Sequence, residues 1–379
     1  MRRCSFLTKA FLFLTLCCPL WGWHAFASSS DSKDPNRPMF SILGGPGYMP
    51  ETGLMLAVGG LFSFKTEDDD ALQRSSITLV GVANELEEGI GFGVRSKQKV
   101  FFADDDIRYF GHLDAGHQSL YYWGIGYEAG TSQKASDDLL VDLEFVKYNA
   151  DLTFRVYDQL YIGPILRLKY FSPTEDKIPD SALQDPNFNR FKDLPLSLGL
   201  GAAIQWDSRD VAVNARRGHF FNLEYSSYSP DWGSDSDYEK AFFDYRFYIT
   251  PRVGSTFAFL NRIELSDGDV PYYDMATLGG MDFMRGTYLG HFRDFNATEN
   301  TVEYRHTFRD GDGLSRHGVT LWLGAGSIGE QASDLYQDWV VTYGVGYRYE
   351  LQPRMNVRAD LGFSNQDEVG FYLTFTEAF

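Results

Sequence analysis

Polar and apolar positions alternate along the C-terminal half of the chain. In EVGFYLTFTEAF, Val369, Phe371, Leu373, Phe375 and Phe379 share one phase; Gly370, Tyr372, Thr374, Thr376 and Ala378 share the other. In RMNVRADLGFS, Met355, Val357, Ala359, Leu361 and Phe363 alternate with Asn356, Arg358, Asp360 and Gly362. In WVVTYGVGYRYEL, Trp339, Val341, Tyr343, Val345, Tyr347 and Tyr349 oppose Thr342, Gly344, Gly346, Arg348 and Glu350. A period of two with one apolar phase marks strands that present a single greasy face. About 16 such segments can be drawn, over 40–48, 52–64, 74–84, 88–103, 106–118, 141–157, 159–172, 195–207, 217–229, 239–251, 255–266, 298–309, 318–327, 339–350, 354–364 and 368–379.

Segments of about 10 residues suit strands that cross a bilayer at a tilt. Aromatics gather toward the ends of the apolar phase, as in interfacial girdles, and Phe379 closes the chain in strand phase. The pattern predicts an all-β fold, a 16-stranded antiparallel transmembrane β-barrel. An even strand number leaves both ends of the chain on one side. The longest connections, near 119–140, 173–194 and 267–297, all follow odd-numbered strands, so they emerge together on the opposite side, the expected outside.

The first residues are of another kind. Arg2, Arg3 and Lys9 precede the apolar stretch from Ala10 to Leu16, and Ala25-Phe26-Ala27 is a small-x-small cleavage site. This predicts a secretory signal peptide over 1–27, with a lipoprotein site at Cys17 as the alternative. A short periplasmic tail over 28–38 and an outer-membrane barrel over 39–379 follow. Cys4, Cys17 and Cys18 all fall in the signal, so the mature chain is expected to fold without disulfides.

The net charge of the 379 residues is −18. Losing Arg2, Arg3 and Lys9 leaves 31 Lys+Arg against 52 Asp+Glu, or −21. That balance argues against nucleic acid as a partner. No uncharged apolar run of 18 residues follows the signal, so no transmembrane helix is expected. Aromatics at 16% and 37 glycines then leave a large secreted β protein or an outer-membrane barrel, with outer-membrane lipid as its solvent.

Other candidate chemistry reads as structural. The acids of TEDDD and ADDD fit solvated turns, and Asp310-Gly311-Asp312-Gly313 lacks the later ligands of a calcium loop. GIGFG and GLGAA lie within strands rather than at a strand-to-helix turn, so they are not dinucleotide fingerprints. The mature histidines, His112, His117, His219, His291, His306 and His317, sit in no nucleophile motif. No cofactor, no metal and no enzymatic activity are expected.

Two stretches are less generic. WDSRDVAVNARRGHFF, Trp206 to Phe221, sets Asp207, Arg209 and Asp210 after the eighth strand and Arg217-Gly218 before the ninth. LGGMDFMRGTYLGHFRDF, ending at Phe295, follows the eleventh strand. With TVEYR (Thr301 to Arg305) and the terminal GFYLTFTEAF, these resemble the BamA/TamA-like superfamily, also called bacterial surface antigens. The resemblance runs from about Ser41, where GPGYMPETG is similar to a first hairpin, to Phe379.

The resemblance implies a 16-stranded barrel whose sixth outer loop folds back into the lumen. Its tip motif is arginine-glycine-aromatic. Arg285-Gly286 match it, Thr287 stands at the usual aromatic position, and Tyr288 comes one later. In the family the arginine meets acidic residues on strands twelve and thirteen. Glu303 falls on the first acidic position, and alternation independently turns it inward, opposite Val302 and Tyr304. Gly324 stands where the second acid is usual, so one carboxylate anchor is expected. Asp207, Arg209, Asp210, Arg217 and Gly218 are expected to fix a periplasmic turn. Gly44, Gly45, Pro46 and Gly47 in the first strand, facing Phe379 in the last, form a lateral seam at which Pro46 lacks a ladder donor.

The resemblance implies a member without periplasmic POTRA domains, since about a dozen residues before the first strand cannot bury a core. The expected function is insertion or translocation in the biogenesis of a Gram-negative outer membrane, with both termini periplasmic and a separate periplasmic or lipoprotein partner. The alternative is a passive pore or a surface-exposed binding scaffold.

Overall fold

The computed structural model describes residues 37–49, 53–68, 72–86 and 89–379. The expected signal peptide, Cys17 and most of 28–38 lie outside the described residues. In chain order the strands are β1 (Met39–Met49), β2 (Gly53–Phe64), β3 (Ser75–Leu86), β4 (Gly89–Phe102), β5 (Ile107–Tyr121), β6 (Leu140–Tyr157), β7 (Leu160–Pro173), β8 (Leu196–Asp207) and β9 (Gly218–Tyr228). They continue as β10 (Tyr238–Arg252), β11 (Ser255–Gly268), β12 (Ala276–Leu278), β13 (Phe292–Asp294), β14 (Asn296–Asp310), β15 (Gly313–Gly329), β16 (Val340–Gln352), β17 (Met355–Ser364) and β18 (Val369–Phe375). A 16-stranded antiparallel sheet takes all but β12 and β13, in chain order, with β11 paired to β14. β1 and β18, the two ends of that sheet, lie against each other, as in a barrel.

The alternation read from the sequence is what the sheet displays. In β2, Leu54, Leu56 and Val58 are exposed while Met55, Leu61 and Ser63 are buried. Around the circumference Ile42, Leu79, Phe92, Val302, Leu321, Leu323 and Val345 stand outward and exposed, whereas Arg108, Thr153, Glu303, Thr320, Arg358 and Asp360 are buried inward. Greasy outside and charged inside is the arrangement that lipid, not water, selects. Register shifts occur near Tyr157, Arg252, Arg309 and Gln352, all beside the short turns. Bulges of this kind let strands bend at a barrel rim.

Most strand ends fall within a residue or two of the expected ones. β15 is longer than expected, starting at Gly313, because the polar stretch before His317 pairs without alternating. The long connections carry short helices, α1 (Tyr127–Ser132), α2 (Asp180–Gln184) and α3 (Pro186–Phe191). Asp185 caps α3 by accepting the amides of Asn187 (2.8 Å) and Phe188 (3.2 Å). Phe188 and Phe191 of α3 pack with Tyr122, Tyr272 and Tyr273 at the long-loop end.

The last strand corrects the sequence reading. It was expected to run to Phe379 with that ring on the lipid side, but β18 ends at Phe375. Thr376 takes a φ of 65°, and the next residues turn into the lumen. Inside, Glu377 pairs with Arg348 (2.8 Å), and Arg305 donates to the main-chain oxygen of Phe379 (2.8 Å). The Phe379 ring packs with Tyr248, Ala258 and Leu260. The physical reason is Glu377. It shares the phase of Phe375 and Phe379, so a continued strand would set a carboxylate in lipid. Phe379 is therefore not part of the seam. Phe371 is the last exposed ring of β18, and Phe375 is buried with Leu61, Val213, Leu351 and Met355.

Candidate functional site

The connection from β11 to β14 enters the barrel as a plug. Its base is the hairpin of β12 and β13, with Ala276 opposite Asp294 and Leu278 opposite Phe292. The sequence reading drew no strand between 267 and 297. The hairpin is too short for its period to register. Between the two strands the chain doubles back through Gly279, whose φ of 104° places a would-be Cβ 1.9 Å from the Tyr288 oxygen. Gly286, at φ 118°, lies flat on β17, where a Cβ would stand 2.6 Å from the Phe363 backbone. Only glycine allows these two approaches.

Arg285, beside Gly286, is 2% exposed. Its guanidinium reaches Glu303 on β14 through Nη2 and Asp360 on β17 through Nη1 (2.5 Å). It also lies over the Trp322 ring, 3.9 Å from the centroid. The expectation of a single carboxylate anchor is thus corrected. Gly324 does leave β15 without an acid, but Asp360 supplies a second anchor from further along the wall. With a side chain in place of Gly324, a Cβ would press on Thr301 and Thr342 at 2.9 Å.

The clasp continues as a network. Arg305 Nε donates to Glu303 (2.6 Å), and Arg348 bridges Asp360 (2.5 Å) to Glu377 (2.8 Å). Arg358 joins Asp360 (2.9 Å) to Asp282 of the plug, which also takes Lys97 (2.5 Å). Burial pushes the Asp282 carboxyl up, but Lys97 and Arg358 outweigh it and hold the group well below the usual carboxylate range. The Gly286 amide donates to the Tyr372 hydroxyl (3.1 Å), and the Met284 amide to Glu299 (3.1 Å). The clasp therefore ties the plug, the wall and the inturned C-terminal residues together. Tyr288, placed in the clasp by the sequence reading, is carried to an aromatic group with Tyr121 and Trp123 at the long-loop end.

At the short-turn end a second segment enters the lumen. Asp207 closes β8 and accepts from Arg209 Nε (2.8 Å) and from Arg108 of β5 (2.8 Å). Asp210 gathers the amides of Val211 (3.1 Å), Arg216 (2.9 Å) and Arg217 (3.3 Å), and the side chain of Arg354 (2.8 Å). Burial raises the Asp210 pKa, but Arg354 and those amides outweigh it and hold the group below its ordinary value. Arg217 contributes its main chain, and its side chain is exposed. Gly218, at φ 99°, passes so close to Ser208 that a Cβ would meet its oxygen at 2.1 Å.

The residues between these anchors do more than turn. Ala212 packs with Leu72 and Phe101, Val213 with Leu61, Leu351, Met355 and Phe375, and Ala215 with Tyr248, Leu260 and Phe379. These partners come from β2, β4, β10, β11 and β16–β18, so the segment crosses the lumen. Gln73 accepts the Ala212 amide (2.9 Å), and Lys99 donates to its carbonyl (3.0 Å). The sequence reading saw a charge-fixed turn. The missed signal was the apolar run Val211-Ala212-Val213 inside it, which a solvated turn has no use for. Between the two plugs a cavity of about 440 Å³ remains, with Lys99, Arg246, Asp282 and Phe379 among its walls.

The four residues assigned to the first side of the seam lie in β1. Gly44, Gly45, Pro46 and Gly47 are in register with Val58, Ala57, Leu56 and Met55 of β2.

The sequence matches no family model and no curated protein. The barrel is similar to solved structures. One is BamA from Haemophilus ducreyi lacking POTRA domains 1–3, at TM-score 0.56 and 14% identity, over 98% of this chain and 77% of that one. CdiB from Escherichia coli matches at TM-score 0.55 and 10% identity, over 93% of this chain and 66% of that one. CdiB from Acinetobacter baumannii matches at 0.54 and 10%, over 90% and 59%. The chain thus spans less than two thirds of either CdiB. At these identities the fold is what is shared: the chain is a BamA-like 16-stranded β-barrel.

Proposed function

We propose that this protein is an outer-membrane barrel of a Gram-negative bacterium that acts in outer-membrane biogenesis. It would insert or pass other chains with a separate periplasmic or lipoprotein partner. The observation that carries the reading is the burial of Arg285 between Glu303 and Asp360 in a BamA-like barrel. A lumen held shut by the chain itself is a poor conduit for solutes, so the work falls to the wall. The wall offers a place for it. β18 has 7 residues against 11 in β1, so part of the β1 edge outruns its neighbour. A strand edge is a template for an incoming strand. The long loops face outward in this reading, and the chain termini face the periplasm.

Tight depletion in cells should change the profile of outer-membrane proteins or lipids, read by quantitative proteomics and lipid analysis. An unchanged profile would remove the biogenesis role. The alternative, a passive pore or binding scaffold, is tested with purified barrel in planar bilayers. A pore gives steady, ion-selective current without partners, whereas the clasped lumen is expected to give almost none.

A further inference from the structure

The cavity of about 440 Å³ between the two plugs has one unneutralised cation on its walls. Lys99 points inward from β4, in register with Ser76 of β3 and Phe110 of β5. It is half-buried and lines the cavity, so its remaining surface opens to that space. Its ammonium donates to the Ala212 carbonyl (3.0 Å) and meets no carboxylate at ion-pair distance among the described residues. An ammonium carries three donors, so two are left without a protein acceptor there. Every other lysine and arginine lining the cavity does meet a carboxylate. The charged groups that act on Lys99 are Arg209, Arg246, Lys97 and Asp207. Three of these four are cations, and Asp207 is already shared by Arg209 (2.8 Å) and Arg108 (2.8 Å). Asp244 and Asp282 are likewise taken, by Arg246 (2.5 Å) and Lys97 (2.5 Å).

A charge inside a fold without a counter-charge is costly. The cavity also lies within the roughly 300–1,000 Å³ of small-molecule sites. Its walls present the half-buried rings of Phe110, Phe242 and Phe283. Apolar surface left uncovered gains by being buried. We propose that this cavity binds a small organic monoanion, with its carboxylate on Lys99 and its apolar body against Phe110. One negative charge is enough, because one wall cation lacks a partner. A cationic ligand is opposed by Lys99 and by the cations around it. The site rests on the lumen alone and is independent of the biogenesis reading.

The test uses detergent-purified full-length barrel at low salt, titrated by calorimetry with three probes of similar shape and different charge. These are benzoate, benzyl alcohol and benzylamine. Benzoate should bind at one saturable site, on the order of tenfold more tightly than benzyl alcohol, the worth of one charge-assisted contact. Benzylamine should not bind. Lys99→Met keeps an unbranched apolar stem and strands no carboxylate, so it should keep the heat-modifiable gel migration of a folded barrel. It should weaken benzoate about tenfold and leave benzyl alcohol unchanged. The probe series on the native chain decides the matter even where that variant does not fold. The proposal is overturned if benzoate does not saturate by about 10 mM. It is equally overturned if benzyl alcohol or benzylamine binds as tightly as benzoate, or if folded Lys99→Met binds benzoate as the native chain does.

Discussion

Two segments fill the lumen from opposite ends, and charge and apolar burial hold them in different proportions, although Met284 at the plug tip is itself buried with Leu278, Phe292 and Val340. The plug tip is fastened by charge, with Arg285 between Glu303 and Asp360, and Asp282 between Lys97 and Arg358. The 208–217 segment is charged at its base, but its buried part is Ala212, Val213 and Ala215, each in a separate apolar cluster. Chain length accounts for the contrast. The plug belongs to a connection running from β11 to β14, and ordering a long free segment costs conformational entropy residue by residue. Directional ion pairs fix its depth and register. The shorter segment leaves β8 and enters the neighbouring β9, so its ends are already close and closure costs little. Non-directional contacts are enough to seat it.

The sharpest way to break this contrast is to remove the charge. Arg285→Ala leaves Glu303 and Asp360 buried with less compensation, and breaking a buried pair costs about 3–5 kcal/mol. Asp360→Ala should cost at least as much, because that carboxylate also serves Arg348 and Arg358. Both variants should gain protease cleavage within 279–291 in detergent-purified barrel. Native-like resistance in both would show that the clasp does not hold the plug.

The second test asks whether either plug alone closes the lumen. Val213→Ser withdraws a buried side chain whose burial is worth about 1.5–3 kcal/mol, a smaller loss than the clasp. Replacing 211–215 with glycine and serine should empty the short-turn end altogether. Planar-bilayer current should stay near the native level for that replacement and for Arg285→Ala taken singly, since each leaves one end filled. The combined variant should conduct. Current from Arg285→Ala alone would mean that the 208–217 segment is not a seal.

The same contrast separates what was legible in the sequence from what was not. A period of two is a local signal, and lipid enforces it on every strand, so the wall could be read almost end to end. The clasp was half legible. Arg285 and Glu303 carry a motif, and alternation had already put Asp360 on the inner phase. Nothing local says that this inner carboxylate, on β17, faces a plug entering between β11 and β14. Phe379 was misplaced because the apolar phase was followed through Glu377, the residue that lipid would reject. The 208–217 segment was read by its charges, which are its anchors, and not by the apolar residues between them. Those residues are too few for a period, and their partners are spread around the barrel.

The smallest expected effect lies at the base of the plug and depends on pH. Asp294 ends β13, where burial, followed by Glu330 and Asp334, pushes its carboxyl up to about 6, against the pull of the Phe295 amide (2.8 Å). The ordinary value is about 3.9, so the fold favours the neutral form. Its contribution is full below about pH 4 and is lost as pH rises through about 6. The hairpin of β12 and β13 should then lose amide protection between pH 4 and pH 7, after correction for intrinsic exchange. Asp294→Asn keeps a neutral group of the same shape and should flatten that slope while leaving the Arg285 clasp in place. A slope that persists in the asparagine variant would assign the pH dependence to other groups. A flat native profile would mean that the plug base does not sense the protonation of Asp294.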